Sequence, residues 1–261
     1  MNQRIHTHRR LIAALAFLLA ASSHADVLSD LRTRLQAIKP TTPLSARIEL
    51  LSTNITDDDG VQSTVERTAL IDATHDATGI RLNWASPLLD KARLQKAALQ
   101  RAPDAPQAGA LASLDANVAL DLLDAAPDLL LALEGATLIE SRADKLENKP
   151  ATLLTLQPRV SMAKKDTKRL KKFEYNAKLW LDAEGWPLVM ESQQHAKFSM
   201  MLMSFTTDTK DKRVYGHTAD RLFVTASSRD GAFEGFGQKT AEHATTAVTT
   251  LGQGGCQTGC R

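Results

Sequence analysis

The sequence predicts an α+β fold: a curved antiparallel sheet, an open half-barrel, with helices packed on or lidding its concave face. Three observations carry this expectation. Several stretches alternate apolar and polar residues with a period of two and are joined by short polar turns, the pattern of an antiparallel meander. From 87 to 135 the period becomes helical and the composition rich in Ala and Leu. Alternation then resumes toward the C-terminal side. A helical block between two runs of antiparallel strands is accommodated with least strain on one face of one sheet.

The first 25 residues read as a targeting segment. Arg4, Arg9 and Arg10 precede an apolar run from Leu11 to Ala21, and Ser23-His24-Ala25 places small residues before a cleavage site between Ala25 and Asp26. Eleven apolar residues rise about 16 Å as a helix, short of a hydrocarbon core of about 30 Å. Export is therefore expected without a transmembrane anchor in the mature chain, and the Ala/Leu-rich style points to a bacterial periplasm. The 32 Lys and Arg residues, less those three arginines, stand against 30 Asp and Glu, a net charge near −1. That balance argues against a nucleic-acid binder, which needs surplus positive charge. One domain is expected from 26 to 240, with the helical insertion at 87–135 and a flexible tail at 241–261.

The elements follow in order. Leu28, Leu31, Leu35 and Ile38 lie on one stripe of a helix from Asp26 to Ile38, which Pro40 and Pro43 end. Leu44 to Thr53, Val61 to Asp72 and Gly79 to Trp84 read as three strands, with Asp57 to Gly60 as a turn. Leu88 to Gln100 reads as a helix, and Leu111, Leu114, Val118 and Leu122 share a face of a second. Pro127 suits the first turn of a third, Asp128 to Glu134, which Gly135 stops. Thr137 to Arg142 and Ala151 to Leu156 form a hairpin. The best-defined hairpin comes next: Phe173, Tyr175, Ala177, Leu179 and Leu181 share one side, and Trp180 lies on the other. Asp182 to Gly185 turns the chain, and Trp186, Leu188 and Met190 share one side of the return. Lys212 to His217 and Asp220 to Ser227 are further strands, before a Gly-rich stretch at 231–237.

Catalytic and metal-binding signals are absent. No G-x-S-x-G, H-E-x-x-H, phosphate-binding glycine loop or dinucleotide fingerprint occurs, and His75, His195, His217 and His243 have no metal-type spacing. No enzyme activity, metal or cofactor is expected. Cys256 and Cys260 outside the cytoplasm suggest a disulfide, with a free or intermolecular pair and a metal site as alternatives. Met201 and Met203 near His195 or His217 raise a copper carrier against the plainer reading of adaptable core. The run Lys164, Lys165, Lys168, Arg169, Lys171 and Lys172 reads as a solvated loop or, alternatively, a contact for an anionic partner.

Three patterns together resemble a known family. They are the helix preceding the alternation Ala46, Ile48, Leu50, the strand KPATLLTLQP at 149–158, and W-L-D-x-x-G-x-P-L from Trp180 to Leu188. In these, over most of the mature chain, the sequence resembles the periplasmic lipoprotein carriers of the Lol pathway and the related stress-sensor lipid-binding domains. It departs from them in its longer Ala/Leu stretch, its Gly-rich end and its cysteine pair, and no individual ligand residue can be matched. The resemblance implies an open half-barrel whose concave face holds acyl chains. Candidates for that lining are Ile48, Leu50, Leu82, Trp84, Leu179, Leu181, Leu188 and Met190. The expected function is a periplasmic carrier or sensor for a lipid or an acylated protein. The competing expectation is an envelope protein-interaction module with a filled core and no ligand.

Overall fold

The computed structural model describes residues 23–98, 106–159, 169–200, 203–235 and 237–252. The targeting segment up to Ser22, Lys164, Lys165 and Lys168 of the basic run, Met201, Cys256 and Cys260 lie outside the described residues.

Ten strands form one sheet: β1 Leu44–Asp58, β2 Val61–Asp76, β3 Gly79–Trp84, β4 Thr137–Leu146, β5 Lys149–Gln157, β6 Leu170–Leu181, β7 Pro187–Met200, β8 Met203–His217, β9 Leu222–Gly235 and β10 Gln238–Thr250. Every pair is antiparallel, the order is β3-β2-β1-β10-β9-β8-β7-β6-β5-β4, and the sheet does not close into a barrel. Helices α1 Ser23–Ala37, α2 Ser86–Ala98, α3 Pro106–Ser113, α4 Ala116–Leu123 and α5 Ala126–Leu133 complete the α+β fold. The expected cleavage position between Ala25 and Asp26 falls in the first turn of α1.

The expected tail at 241–261 is corrected by β10. This strand pairs with β1 without a break from Ala46–Thr250 to Asp58–Gln238, and with β9 on its other side. Its sequence, QKTAEHATTAVTT, buries one sizeable apolar side chain, Val248. Backbone hydrogen bonds to two neighbours and Thr-rich β propensity hold it in place of an apolar stripe. The helical block also divides differently. The expected second helix breaks at Asp115, whose carboxylate accepts from the backbone N–H groups of Asn117 (2.9 Å) and Val118 (3.0 Å) and starts α4 afresh. Leu122 is buried on α4, whereas Val118 is exposed. Elsewhere the turns behave as read: Gly135 stops α5 at φ +72°, and Glu147 and Asn148 take φ of 50° and 66° in the two-residue β4–β5 turn.

The main core lies between the helices and one face of the sheet. Ala46, Ile48, Leu50, Ile71, Leu154, Leu179, Leu181 and Val224 meet Leu31 and Leu35 of α1, Leu114, Leu122 and Leu123 around α4, and Leu129 and Leu133 of α5. A smaller cluster on the opposite face joins Leu153, Trp180 and Val189, where Trp180 Nε1 donates to Asp144 Oδ2 at 3.0 Å.

Polar contacts seat the helices. The Arg221 guanidinium, 1% exposed, donates to the carbonyls of Thr42 (2.8 Å) and Leu123 (3.2 Å) and to His75 Nδ1 (2.6 Å). Accepting at Nδ1 makes His75 neutral with its proton on Nε2. Burial, and then the Asp124 carboxylate nearby, act oppositely on Arg221, and burial pushes the Asp124 carboxyl up. Next to this, Asp220 accepts from the backbone N–H groups of Thr41 and Thr42, both at 2.8 Å, and from the Thr41 and Thr218 hydroxyls. Partial burial alone would raise the Asp220 carboxyl; these hydrogen bonds outweigh it and hold it well below the usual carboxylate range. On α1, Arg32 donates to the carbonyls of Leu133 (2.6 Å) and Ala136 (3.1 Å) at the end of α5. Arg34 donates to the Glu184 carbonyl and lies 5.1 Å over Trp186, which stacks on His217 at 4.5 Å.

Two expected outcomes follow from this seating. Arg221→Met strands the Thr42 and Leu123 carbonyls and His75 Nδ1, each worth about 1–3 kcal/mol when left unsatisfied, so stability measured by urea denaturation should drop by about 3–5 kcal/mol. The pH dependence has a definite sign. Burial, then neighbouring Arg221, hold the folded His75 below its ordinary value of 6.5. Below 6.5 the unfolded chain therefore takes up a proton that the folded chain refuses, and stability falls until the folded ring itself is charged. The Asp220 contribution is present above the ordinary 3.8 and is lost as pH falls below it. Melting temperature should decrease from about pH 7 to about pH 5, and His75→Gln, an acceptor that does not titrate, should flatten that part of the profile.

Candidate ligand-binding face

The helices contact the sheet chiefly through β1, β2, β3, β4 and β9, so they cover only part of the face they share. Their limit on β2 is Arg67: its Nε is buried without an acceptor beneath α3, where a Cβ on Gly109 would stand 2.8 Å from it. On β8 the limit is Arg213, paired with Asp128 in the first turn of α5. Behind that pair Tyr215 is buried, its hydroxyl directed at Met190 Sδ at 4.0 Å, and burial pushes its phenol up to about 12.

Seven of the eight candidates for the lining share this face, and the helices fill the space over them. Ile48, Leu50, Leu179 and Leu181 are buried in the main core; Leu82, Trp84 and Met190 are half-buried and pack against it. Leu188 is corrected. A register shift pairs Trp180 with Val189 but Leu181 with Pro187, so Leu188 sits unpaired in a bulge and packs with Trp180 on the opposite face. The period-two reading of this strand assumed an unbroken ladder.

Beyond the helices the register continues in rows across the same face. One row runs Arg67, Ser52, Ala244, Arg229, Asp211, Ser192, Ala177. The next runs Val65, Asn54, Glu242, Gly231, Thr209, Gln194, Tyr175, and a third Ser63, Thr56, Thr240, Phe233, Thr207, Ala196, Phe173. Phe198 and Phe205 pair beyond them. In β6 and along most of β8 the two faces differ in exposure. Phe173, Tyr175, Phe205, Thr207 and Thr209 are half-buried, whereas Lys172, Glu174, Asn176, Asp208 and Lys210 on the reverse are exposed. The open sheet extends here beyond the strands on which the described helices chiefly rest.

Aromatic rings gather at its far end. Phe198 and Phe205 stack at 5.2 Å, Phe205 and Phe233 lie 6.3 Å apart, and Phe173 meets Tyr175 edge-on at 6.4 Å. They draw five of the chain's twelve aromatic residues from four adjacent strands, and Ala196 beneath them is wholly buried. Gly235 makes room: a Cβ there would stand 2.6 Å from Phe205 Cβ. Alternation in β6 had placed Phe173 and Tyr175 on the correct face. That Phe205 meets Phe233 depends on the β8–β9 register, which no local pattern carries.

The reverse face holds two shallow hollows. One of about 360 Å³ lies between Leu51 and Val214 over Ala226 and Ala247. The other, about 270 Å³, lies beside Ile55 and Ala232. None of the eight candidates lines either. Among the described residues no three His, Cys, Asp or Glu side chains converge as a metal site. His195 contacts Asp208 at 2.8 Å and His243 contacts Asp230 at 2.6 Å, each pair apart from the other. Met203 is exposed. No described helix is long and apolar enough to cross a membrane. Comparison of the chain with family models, with curated proteins and with solved structures gives no match in any of the three.

Gly235→Val drives a side chain into Phe205 and should cost about 1–3 kcal/mol of stability, read as a lower denaturant midpoint. Gly231→Ala, where a Cβ would meet only Glu242 at 3.8 Å, should move the midpoint far less.

Proposed function

We propose that the protein is an exported carrier or sensor of the bacterial envelope that holds a lipid or an acylated protein on the uncovered half of its sheet. The observation that carries this reading is the half-buried aromatic patch of Phe173, Tyr175, Phe198, Phe205 and Phe233. Apolar rings left part-exposed on a sheltered face are surface that a folded chain ordinarily buries, and a ligand's chain buries it. An export signal in the first 25 residues, as their sequence suggests, would carry the protein to where lipids and lipoproteins cross an aqueous space. Acyl chains would lie on the aromatic end, since the helices already occupy the aliphatic half.

The second reading, an interaction module with a filled core, is favoured by that same occupied half: Ile48, Leu50, Leu179 and Leu181 are buried in one cluster with the helices. Leu131 on α5, 68% exposed, would then belong to a protein contact.

Organic extracts of gently purified protein, examined by mass spectrometry, should contain lipid, and a fluorescent acyl probe should bind. Phe205→Ala should weaken the probe about tenfold, equivalent to about 1.4 kcal/mol. Leu51→Ser on the reverse face should leave the affinity as it was. No extracted lipid and no probe binding would leave the interaction module standing.

A further inference from the structure

We infer that the ligand of this face is an uncharged glycolipid, its chain on the aromatic rings and its saccharide head across the polar rows beside them. The inference rests on the lipid-binding reading and adds the chemistry of the head group.

Ser192, Gln194, Thr207 and Thr209 are half-buried on the sheltered face, and among the described residues none spends its side chain on a hydrogen bond to protein. Across the rows Thr56 Oγ1 makes only a 3.3 Å contact to Asn54 Oδ1. Hydroxyls and amides both donate and accept, so such a set matches the hydroxyl edge of a sugar, which does the same. An aliphatic chain alone would leave this capacity unmet when it displaced water.

Charge points the same way. The middle rows carry Arg67 and Arg229 against Asp211 and Glu242, and Arg229 already lies 3.6 Å from Asp211. Two cations balance two anions across these rows, so the face carries no net positive charge to favour a phosphate or carboxylate head and suits a non-ionic one. Space follows from Gly231. A Cβ at this position would meet nothing closer than Glu242 at 3.8 Å, and φ is not in the left-handed region, so neither clash nor backbone requires glycine. The missing side chain clears the floor between Arg229 and Phe233, where a pyranose could lie with its C–H face toward the rings and its hydroxyls toward Thr209 and Gln194.

The test compares three probes with the same chain length on the full-length protein, by calorimetry below their micelle concentrations: dodecyl maltoside, laurate and dodecylphosphocholine. The maltoside should bind at least about tenfold tighter than either of the others. Thr209→Val and Gln194→Leu should bring the maltoside-to-laurate ratio toward one, Gly231→Leu should do so by filling the floor, and Phe205→Ala should weaken all three. Equal affinities, or a preference for laurate or dodecylphosphocholine, overturn the glycolipid and leave lipid binding intact. Binding of none of the three overturns both.

Discussion

Burial of the Arg221 guanidinium is the constraint on which the arrangement depends. Removing such a group from water costs several kcal/mol and is tolerated only where acceptors are fixed around it. Here they come from segments far apart in sequence: the Thr42 carbonyl before β1, His75 at the end of β2, and the Leu123 carbonyl at the end of α4. The Ala125 N–H donating to the Leu222 carbonyl at 2.8 Å brings α5 into the same knot. No one of these segments can move without exposing an acceptor or stranding the cation. The helical block is therefore seated at one place on the sheet.

That seat divides the sheet into two halves of different chemistry. Under the helices the inward side chains are Leu, Ile, Ala and Val, each large one contributing about 1.5–3 kcal/mol on burial. Beyond Arg67 and Arg213 the same strands turn to Ser, Thr, Asn and Gln, and then to Phe and Tyr. A strand that only needed to pack would continue its aliphatic alternation. Aromatic rings and unspent hydroxyls at the uncovered end are what the proposed ligand-binding role rests on. Ladders of backbone hydrogen bonds, with β10 bridging β1 and β9, hold this half in register.

The link from site to stability runs through the same residues. His75 and Asp220 belong to the knot that seats the helices, so their titration acts on the covered half. Arg34, over Trp186 with its guanidinium on the Glu184 carbonyl, ties α1 to the β6–β7 turn and gives the helices a second point of attachment.

By itself the sequence determined the elements whose pattern is local. The stripe of Leu28, Leu31 and Leu35, the alternation of Ile48 with Leu50 and of Leu179 with Leu181, and the stops at Gly135 and Gly185 are dictated by side-chain period and backbone freedom. These suffice for an antiparallel α+β fold and for seven residues of one face. Only tertiary structure decided the rest. β10 lies at the centre because two neighbours satisfy its backbone, which its Thr and Ala residues do not announce. Leu188 changes face because a bulge interrupts its ladder. Phe173, Phe198, Phe205 and Phe233 become one surface through the register of four strands, and Arg221 is buried because distant carbonyls await it. Periodicity is set between neighbours in the chain; register and desolvation are set between strangers to it, and the candidate site is made of the latter.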